Sequence, residues 1–350
     1  MKILLDDHHG IGDVAMFISV LEAIKKQMSD SEIHMLIKSP VEQNLVEAVG
    51  GVQKFYYYDP LNHNAKSVAR LILALRKNHY DLGICHIGTN AKLGSMLMRA
   101  IGCKKSVGAS NGKRFPNYSI PVDVSGEPQR ARKNALLVKA LGITEVQETG
   151  LLKDLSFPGL ITSAIKKQMG DRPLVGVCIG AGNTVIGGVS VNGKKWPDEY
   201  WLALIEKFVD KGCGVLILGG RKEKEERDSR FDDLPRDSVM DLVGKLQLSE
   251  SLEAISACSL VIACDTGLGF CSALMDVPTL SLLGPSGPDL AAPYGKYAEN
   301  IFLGLDCSPC YGTEKMRDCA DRKCMNRISV DEVYAKGMQM MSHNAIQELK

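Results

Sequence analysis

A chain of 350 residues exceeds what one hydrophobic core usually organises, so two domains are expected. A formal charge of +1 with no basic stripe argues against nucleic acid as a partner and leaves at most peripheral contact with a membrane. No apolar run approaches the ~20 residues of a membrane span, and Met1–Leu5 meets Asp6 and Asp7 without the long apolar stretch of a secretory leader; a cytoplasmic protein, or one resting on the inner face of a membrane, is expected.

In chain order, hydrophobic periodicity predicts a strand at Lys2–Leu5 and a helix at Val14–Met28 with Phe17, Ile18, Leu21 and Ile24 as its apolar positions. A strand at Glu32–Ile37 and a helix at Val41–Val49, ended by Gly50 and Gly51, come next. Strands at Phe55–Tyr58, Leu82–Ile87 and Ser106–Val107 follow, separated by helices at Ala65–Lys77 and Ala91–Ile101. A second set opens after Arg172 and Pro173, with strands at Leu174–Ile179, Val215–Leu218, Leu260–Ala263 and Thr279–Leu283. Its helices are expected at Asp198–Lys211, Lys222–Arg230, Ser249–Cys258 and Leu268–Met275. Such alternation builds parallel sheets covered by helices on both faces. The expected fold class is α/β, with two doubly wound Rossmann-like domains facing a central cleft. They span residues 1–165 and 172–330, with a linker near Phe157–Pro173 and a last helix, Val330–Leu349, that packs across both.

The first strand opens into Gly10-Ile11-Gly12-Asp13-Val14-Ala15, a loose match to a dinucleotide fingerprint. Asp13 would repel a pyrophosphate, and the second strand ends in Lys38 and Ser39 with no acid to hold a ribose, which disfavours a nicotinamide dinucleotide. An acid in a first helical turn either complements the helix dipole, for under about 1 kcal/mol, or faces a cleft as general base on a hydroxyl. Partial desolvation would suit it to the second task. His8 and His9, with Gly10 and Gly12, are candidate acceptor ligands, because strand C-terminal ends host ligands in such sheets; ordinary loop histidines are the alternative.

In the second set, the strand at Leu174–Ile179 opens into Gly180-Ala181-Gly182-Asn183-Thr184, a turn whose amides can cradle phosphate oxygens. The loop continues through Gly187, Gly188 and Gly193 to Lys194-Lys195-Trp196-Pro197. A lysine there would neutralise a departing diphosphate, or simply be solvated. Glu223, just past Gly219 and Gly220, either accepts both ribose hydroxyls or serves as a helix N-terminal acid. Asp265-Thr266-Gly267-Leu268 either caps the next helix or presents its free amides to a diphosphate. Cys307, Cys310, Cys319 and Cys324, within residues 307–324, are spaced as two close pairs, a candidate structural zinc or iron site rather than free thiols.

Together these stretches resemble glycosyltransferase family 9, the ADP-heptose:lipopolysaccharide heptosyltransferases. The family's G-x-G-D corresponds to Gly10–Asp13, its K-x-W-P to Lys194–Pro197, its G-G-x-x-E to Gly219–Glu223, and its D-[ST]-G-x-x-H to Asp265–Phe270, with Phe270 in place of the histidine. The resemblance implies a GT-B fold and inversion at the anomeric carbon, with no metal or other cofactor in the chemical step. Asp13 would be the base and Lys194 would stabilise the leaving diphosphate. The donor, ADP-heptose, would be held by Gly180, Gly182, Thr184, Lys195, Glu223, Asp265, Thr266, Gly267 and Leu268. The acceptor would be a lipopolysaccharide core or other surface glycan, with a protein acceptor as the alternative. Some family members carry similar C-terminal cysteines that hold iron. A sugar-nucleotide epimerase, a dehydrogenase and a non-catalytic nucleotide-sugar binding protein are the competing classes.

Overall fold

The computed structural model describes residues 1–60, 62, 64–110, 112 and 117–347. The chain divides into two compact units, Met1–Leu151 and Leu152–Lys350. The first contains β1 (Lys2–Asp7), α1 (Ile11–Gln27), β2 (Glu32–Ile37), α2 (Pro40–Val49), β3 (Lys54–Tyr57), α3 (Ala65–Arg76), β4 (Leu82–Cys85), α4 (Ala91–Ile101), β5 (Lys105–Ala109), β6 (Ile120–Val122) and α5 (Arg130–Lys139). Its strands form one sheet in the order β3-β2-β1-β4-β5-β6, and every pairing is parallel. Ile3, Leu4 and Leu5 are all fully buried although successive side chains point to opposite faces. Burial on both faces is the mark of a parallel sheet sandwiched between helices.

The second unit contains α6 (Leu160–Met169), β7 (Leu174–Cys178), β8 (Thr184–Ile186), β9 (Val189–Val191), α7 (Asp198–Asp210), β10 (Gly214–Leu218), α8 (Arg221–Glu226), a 3-10 turn at Ser229–Asp233, β11 (Val239–Asp241), α9 (Leu248–Ser256), β12 (Leu260–Cys264), α10 (Gly267–Leu274), β13 (Thr279–Leu283), α11 (Gly287–Ala291), β14 (Ala298–Phe302), α12 (Glu314–Arg317), α13 (Lys323–Asn326) and α14 (Val330–Gln347). The main sheet runs β11-β10-β7-β12-β13-β14, again parallel throughout. With only its own strands numbered, each six-stranded sheet has the order 3-2-1-4-5-6 of the doubly wound dinucleotide-binding fold.

Several elements differ from the sequence expectation. β1 does not stop at Leu5, because Asp6 and Asp7 continue the ladder opposite Leu36 and Ile37; tertiary pairing overrides their low strand propensity. Residues 160–169, expected to lie in a linker, form α6, which docks Ile165 and Met169 into the second unit and receives Glu253 at the Thr162 amide, 2.9 Å away. The expected open glycine loop after β7 contains the antiparallel hairpin β8–β9. Its turn uses Gly187 and Gly188 at φ +58° and +80°, a conformation that favours glycine. The helix expected through Arg230 ends at Glu226. The last helix packs on α7 and β12 with Val333 and Met340 buried; Leu349 lies outside the described residues.

Trp196 and Trp201 anchor the second core. Both are fully buried, their rings meet edge-on at 4.9 Å, and the Trp196 indole donates to the Ile328 carbonyl at 3.0 Å. Trp196→Ala is expected to cost about 3–5 kcal/mol. These are the only two tryptophans, so the fluorescence of the remaining Trp201 in a urea titration should report an earlier midpoint. An unchanged midpoint would mean that Trp196 is not a structural anchor.

Candidate functional site

In each sheet the chain leaves its first and fourth strands toward opposite sides, opening a crevice at their C-terminal ends. In the first unit that crevice lies beyond β1 and β4, and it gathers Asp7, His9, Asp13 and His86. Gly10 is the N-cap of α1, and Gly12 and Asp13 occupy its first turn. Asp13 pairs with Arg130 at 2.9 Å, from the first residue of α5. His9 Nε2 lies 3.1 Å from the Thr89 hydroxyl. The His9 and His86 rings are 5.1 Å apart, and His86 Nδ1 stands 4.0 Å from an Asp7 oxygen. A Cβ on Gly88 would sit 2.9 Å from His86 Nδ1 and 2.3 Å from Arg130, so a side chain there would push the guanidinium and the imidazole out of place. On the opposite face of β1, Asp6 holds His8 Nδ1 at 2.6 Å.

Burial governs the electrostatics. It pushes the Asp7 carboxyl well above the usual carboxylate range, and the charges of Asp13 and Asp6 push the same way, while Arg130 and the His9 amide offset only part. Burial also holds His86 well below its ordinary value and lowers His9, so both imidazoles are favoured neutral. For His8, burial would lower the ring, but the charge and hydrogen bond of Asp6 outweigh it and the net shift is upward.

In the second unit the crevice lies beyond β7 and β12. Thr266 is the N-cap of α10, its hydroxyl accepting the Leu268 amide at 3.3 Å. That leaves Asp265 for other partners: it takes Lys194 at 3.1 Å and the Ser286 hydroxyl at 2.7 Å. Lys194 is 8% exposed, with its ammonium 5.5 Å from the centre of the Tyr311 ring. Lys195 is bound to Asp198 at 2.8 Å, in the first turn of α7. Glu223 accepts the Gly220 amide at 2.9 Å, so it is a helix N-terminal acid with one oxygen occupied. A Cβ on Gly180 would meet Glu223 at 2.6 Å. Lys195, Glu223, Glu226 and Arg227 line a small indentation against Gly180 with a cavity volume of only about 10 Å³. Thr184 begins the hairpin, Gly182 has open space around it, and Gly267 opens α10. Phe270 is buried in α10, so that position offers no polar group.

The four C-terminal cysteines do not form the expected tetrahedral site. Among the described residues no three of their sulfurs lie within 4.8 Å of one another. The reason is their placement: Cys324 is buried under β13, where a Cβ on Gly284 would sit 3.0 Å from its sulfur, whereas Cys307 and Cys319 face solvent. They are still neighbours, since Cys310, Cys307 and Cys319 add to the burial that pushes the Cys324 thiol up to about 11. The segment is strapped to β13 through Pro285, whose carbonyl accepts the amides of Cys310 at 2.8 Å and Tyr311 at 2.9 Å.

Comparison with known proteins decides the family. The model of glycosyltransferase family 9 (heptosyltransferase) matches residues 68–320. The chain belongs to glycosyltransferase family 9. It is therefore a glycosyltransferase. Lipopolysaccharide heptosyltransferase 2 of Salmonella typhimurium is 24% identical over 322 residues, covering 87% of this chain and 88% of that protein. Lipopolysaccharide heptosyltransferase 1 of Pseudomonas aeruginosa is 34% identical, but the alignment spans 40% of this chain and 42% of the relative. Among solved structures, the E. coli ADP-heptose lipopolysaccharide heptosyltransferase II superposes with a TM-score of 0.74 at 18% identity, over 99% of this chain and all of that one. The family 9 chain thus has the GT-B fold.

Sequence reasoning missed Arg130, His86, Thr89, Ser286 and Tyr311. His86 lies near the end of the predicted strand Leu82–Ile87, which stops at Cys85 in the structure, and could have been suspected from the rule that strand ends host ligands; the other four carry no local signal. In this family 9 protein, an alkylating reagent near about pH 8 should modify Cys307 and Cys319 well before Cys324, which is buried and holds its proton. Peptide mass mapping over time checks this, and equal rates would contradict the placement of Cys324.

Proposed function

We propose that this chain is an inverting heptosyltransferase that moves heptose from ADP-heptose to a lipopolysaccharide core or another surface glycan. The observation that carries the reading is the placement of the family motifs: G-x-G-D at the crevice of one sheet, and K-x-W-P with D-T-G at the crevice of the other. The Salmonella relative, similar over most of both chains, and the E. coli structure of the same fold support the choice of donor and acceptor.

In this scheme Asp13 takes the proton from the attacking acceptor hydroxyl, with Arg130 fixing the direction of its carboxylate. The acceptor lies against His8, His9, Gly10 and Gly12. The hydroxyl oxygen bonds to the anomeric carbon as the bond to the diphosphate oxygen breaks, and the configuration inverts. Charge growing on the diphosphate is met by Lys194 and by the free amides at the start of α10, Gly267 and Leu268. Lys194 must be shared between Asp265 and the phosphate, and its desolvated position makes that exchange worth more than it would be in water. Glu223, with one oxygen on the Gly220 amide, offers the other to the ribose, and Lys195 lines the same indentation. Gly180, Gly182 and Thr184 lie along the donor, and Asp265 and Thr266 orient the sugar. A lipid-linked acceptor places the work in the cytoplasm, at the inner face of the inner membrane.

Calorimetry with ADP-heptose, UDP- and GDP-sugars and NAD(P) should give preferential binding of ADP-heptose. Preference for another nucleotide sugar would overturn the donor, and binding of NAD(P) alone would overturn the reaction class. Asp13→Ala should abolish transfer while leaving donor affinity within a few-fold; turnover comparable to the unaltered enzyme would remove Asp13 as the base. Lys194→Ala should weaken donor binding and turnover together, and unchanged kinetics would remove Lys194 from the leaving-group role. Transfer to a protein but not to a truncated lipopolysaccharide would replace the glycan acceptor.

A further inference from the structure

We propose that Asp7, His9 and His86 form a binding site for one divalent transition-metal ion, with three protein ligands and an open position beside Asp13. One ligand atom from each of these residues can be chosen so that all three lie within 4.8 Å of one another, and among the described residues this is the only such grouping of three or more histidine, cysteine or acidic side chains. Asp7 and His9 come from one stretch, at the end of β1 and just after it, and the sheet brings His86, which follows β4, beside them.

A second observation points to a cation. Asp7 is fully buried, and neither of its carboxylate oxygens has a well-formed hydrogen bond, the His9 amide being its weak polar neighbour. Buried polar groups are nearly always satisfied, and those that are not call for an explanation. Arg130 is the nearby cation, but its guanidinium is 2.9 Å from Asp13.

The donor set also fits. One carboxylate and two imidazoles suit zinc, iron, cobalt or manganese in preference to calcium or magnesium. His86 Nδ1 accepts the Gly88 amide at 3.0 Å, so that nitrogen carries a lone pair, and it lies 4.0 Å from the Asp7 oxygen. An ion between them would take that lone pair in place of the Gly88 amide. His9 Nε2 is held by the Thr89 hydroxyl; donating there, it leaves Nδ1 bare, the arrangement in which an outer hydrogen bond orients a metal-binding imidazole. Three protein ligands leave a coordination position for water or a hydroxyl, next to the carboxylate assigned as base. The family's chemical step is not routed through this ion, and its binding is measurable without turnover.

The test is titration of chelator-treated protein with Co(II), followed by visible absorption. The cysteines are controlled by a Cys307→Ser, Cys310→Ser, Cys319→Ser variant, which spares the buried Cys324. About one equivalent should bind per chain with ligand-field bands of nitrogen and oxygen donors and without the intense thiolate charge-transfer band. His9→Ala and His9→Gln should each abolish this binding while circular dichroism stays unchanged. In the unaltered chain the same nitrogen and oxygen bands should appear and respond to His9 in the same way, so the reading does not depend on the triple variant folding. Absence of stoichiometric binding, a spectrum of sulfur donors alone, or binding indifferent to His9 would overturn the site. None of these results bears on donor specificity, so failure here leaves the transferase reading standing.

Discussion

The reversal of strand order beside the first strand of each sheet is the constraint on which the remaining structure depends. A parallel sheet satisfies its backbone only through crossover connections, and right-handed crossovers can leave a central pair of strands toward opposite sides. Where they do, no loop covers the strand ends, and side chains there face a crevice instead of a packed turn. Both units use it. In the first, Asp7 ends β1 and His86 follows β4; in the second, Gly180 follows β7 and Asp265 follows β12. Asp13 and Asp265, assigned the central chemical roles, lie at these two points, and Lys194 reaches the second from the loop before α7.

The two crevices manage charge differently. In the second unit the buried cation and its partner satisfy each other: Lys194 meets Asp265, which also takes the Ser286 hydroxyl. Such a pair stabilises little beyond its desolvation cost, but it holds an ammonium at a fixed point beside a helix N-terminus. In the first unit the charges are less evenly matched. Asp6 holds His8 through one oxygen while its other has no partner, Arg130 answers Asp13, and Asp7 lies in the interior with neither oxygen in a well-formed hydrogen bond. Proteins rarely leave such a group without a purpose, because a desolvated and unpaired polar side chain costs about 1–3 kcal/mol even when neutral.

Much of the fold was legible because the two periods, helical and fully buried strand, alternate without interruption in both halves. What escaped was decided by pairing at a distance. Asp6 and Asp7 read as a charged loop, yet the ladder to β2 makes them strand. Residues 160–169 read as connection, yet Ile165 and Met169 find apolar neighbours that only the folded unit supplies. The short strands β8 and β9 are invisible to periodicity, although the Gly187-Gly188 pair is a hairpin signal in its own right. At the site, Asp13, Lys194, Glu223 and Asp265 were found because each sits in a short pattern next to a strand end. Arg130 lies 117 positions beyond Asp13 and was reached only through the packing of α5 on α1. The cysteines show the converse: spacing suggested convergence on one point, and in the fold the four are neighbours without three sulfurs coming within 4.8 Å of one another.

The K-x-W-P segment shows how anchoring and chemistry divide between adjacent residues. Trp196 is wholly enclosed, fixed by its indole hydrogen bond to Ile328 and by the edge of Trp201. Pro197 then starts α7 with a restricted φ, and Lys195 is tied to Asp198 in that helix's first turn. With both following residues immobilised, the backbone at Lys194 has little freedom, and its long side chain is confined between Asp265 and the Tyr311 ring. Tyr311 is itself held by the Pro285 carbonyl at the end of β13. An ammonium that must meet developing charge without reorganising is best placed this way, since the free energy of positioning it is spent in folding and not during the reaction. The tryptophan's contribution to transfer would then be exerted through where it puts Lys194, and the cysteine-rich segment's through where it puts Tyr311.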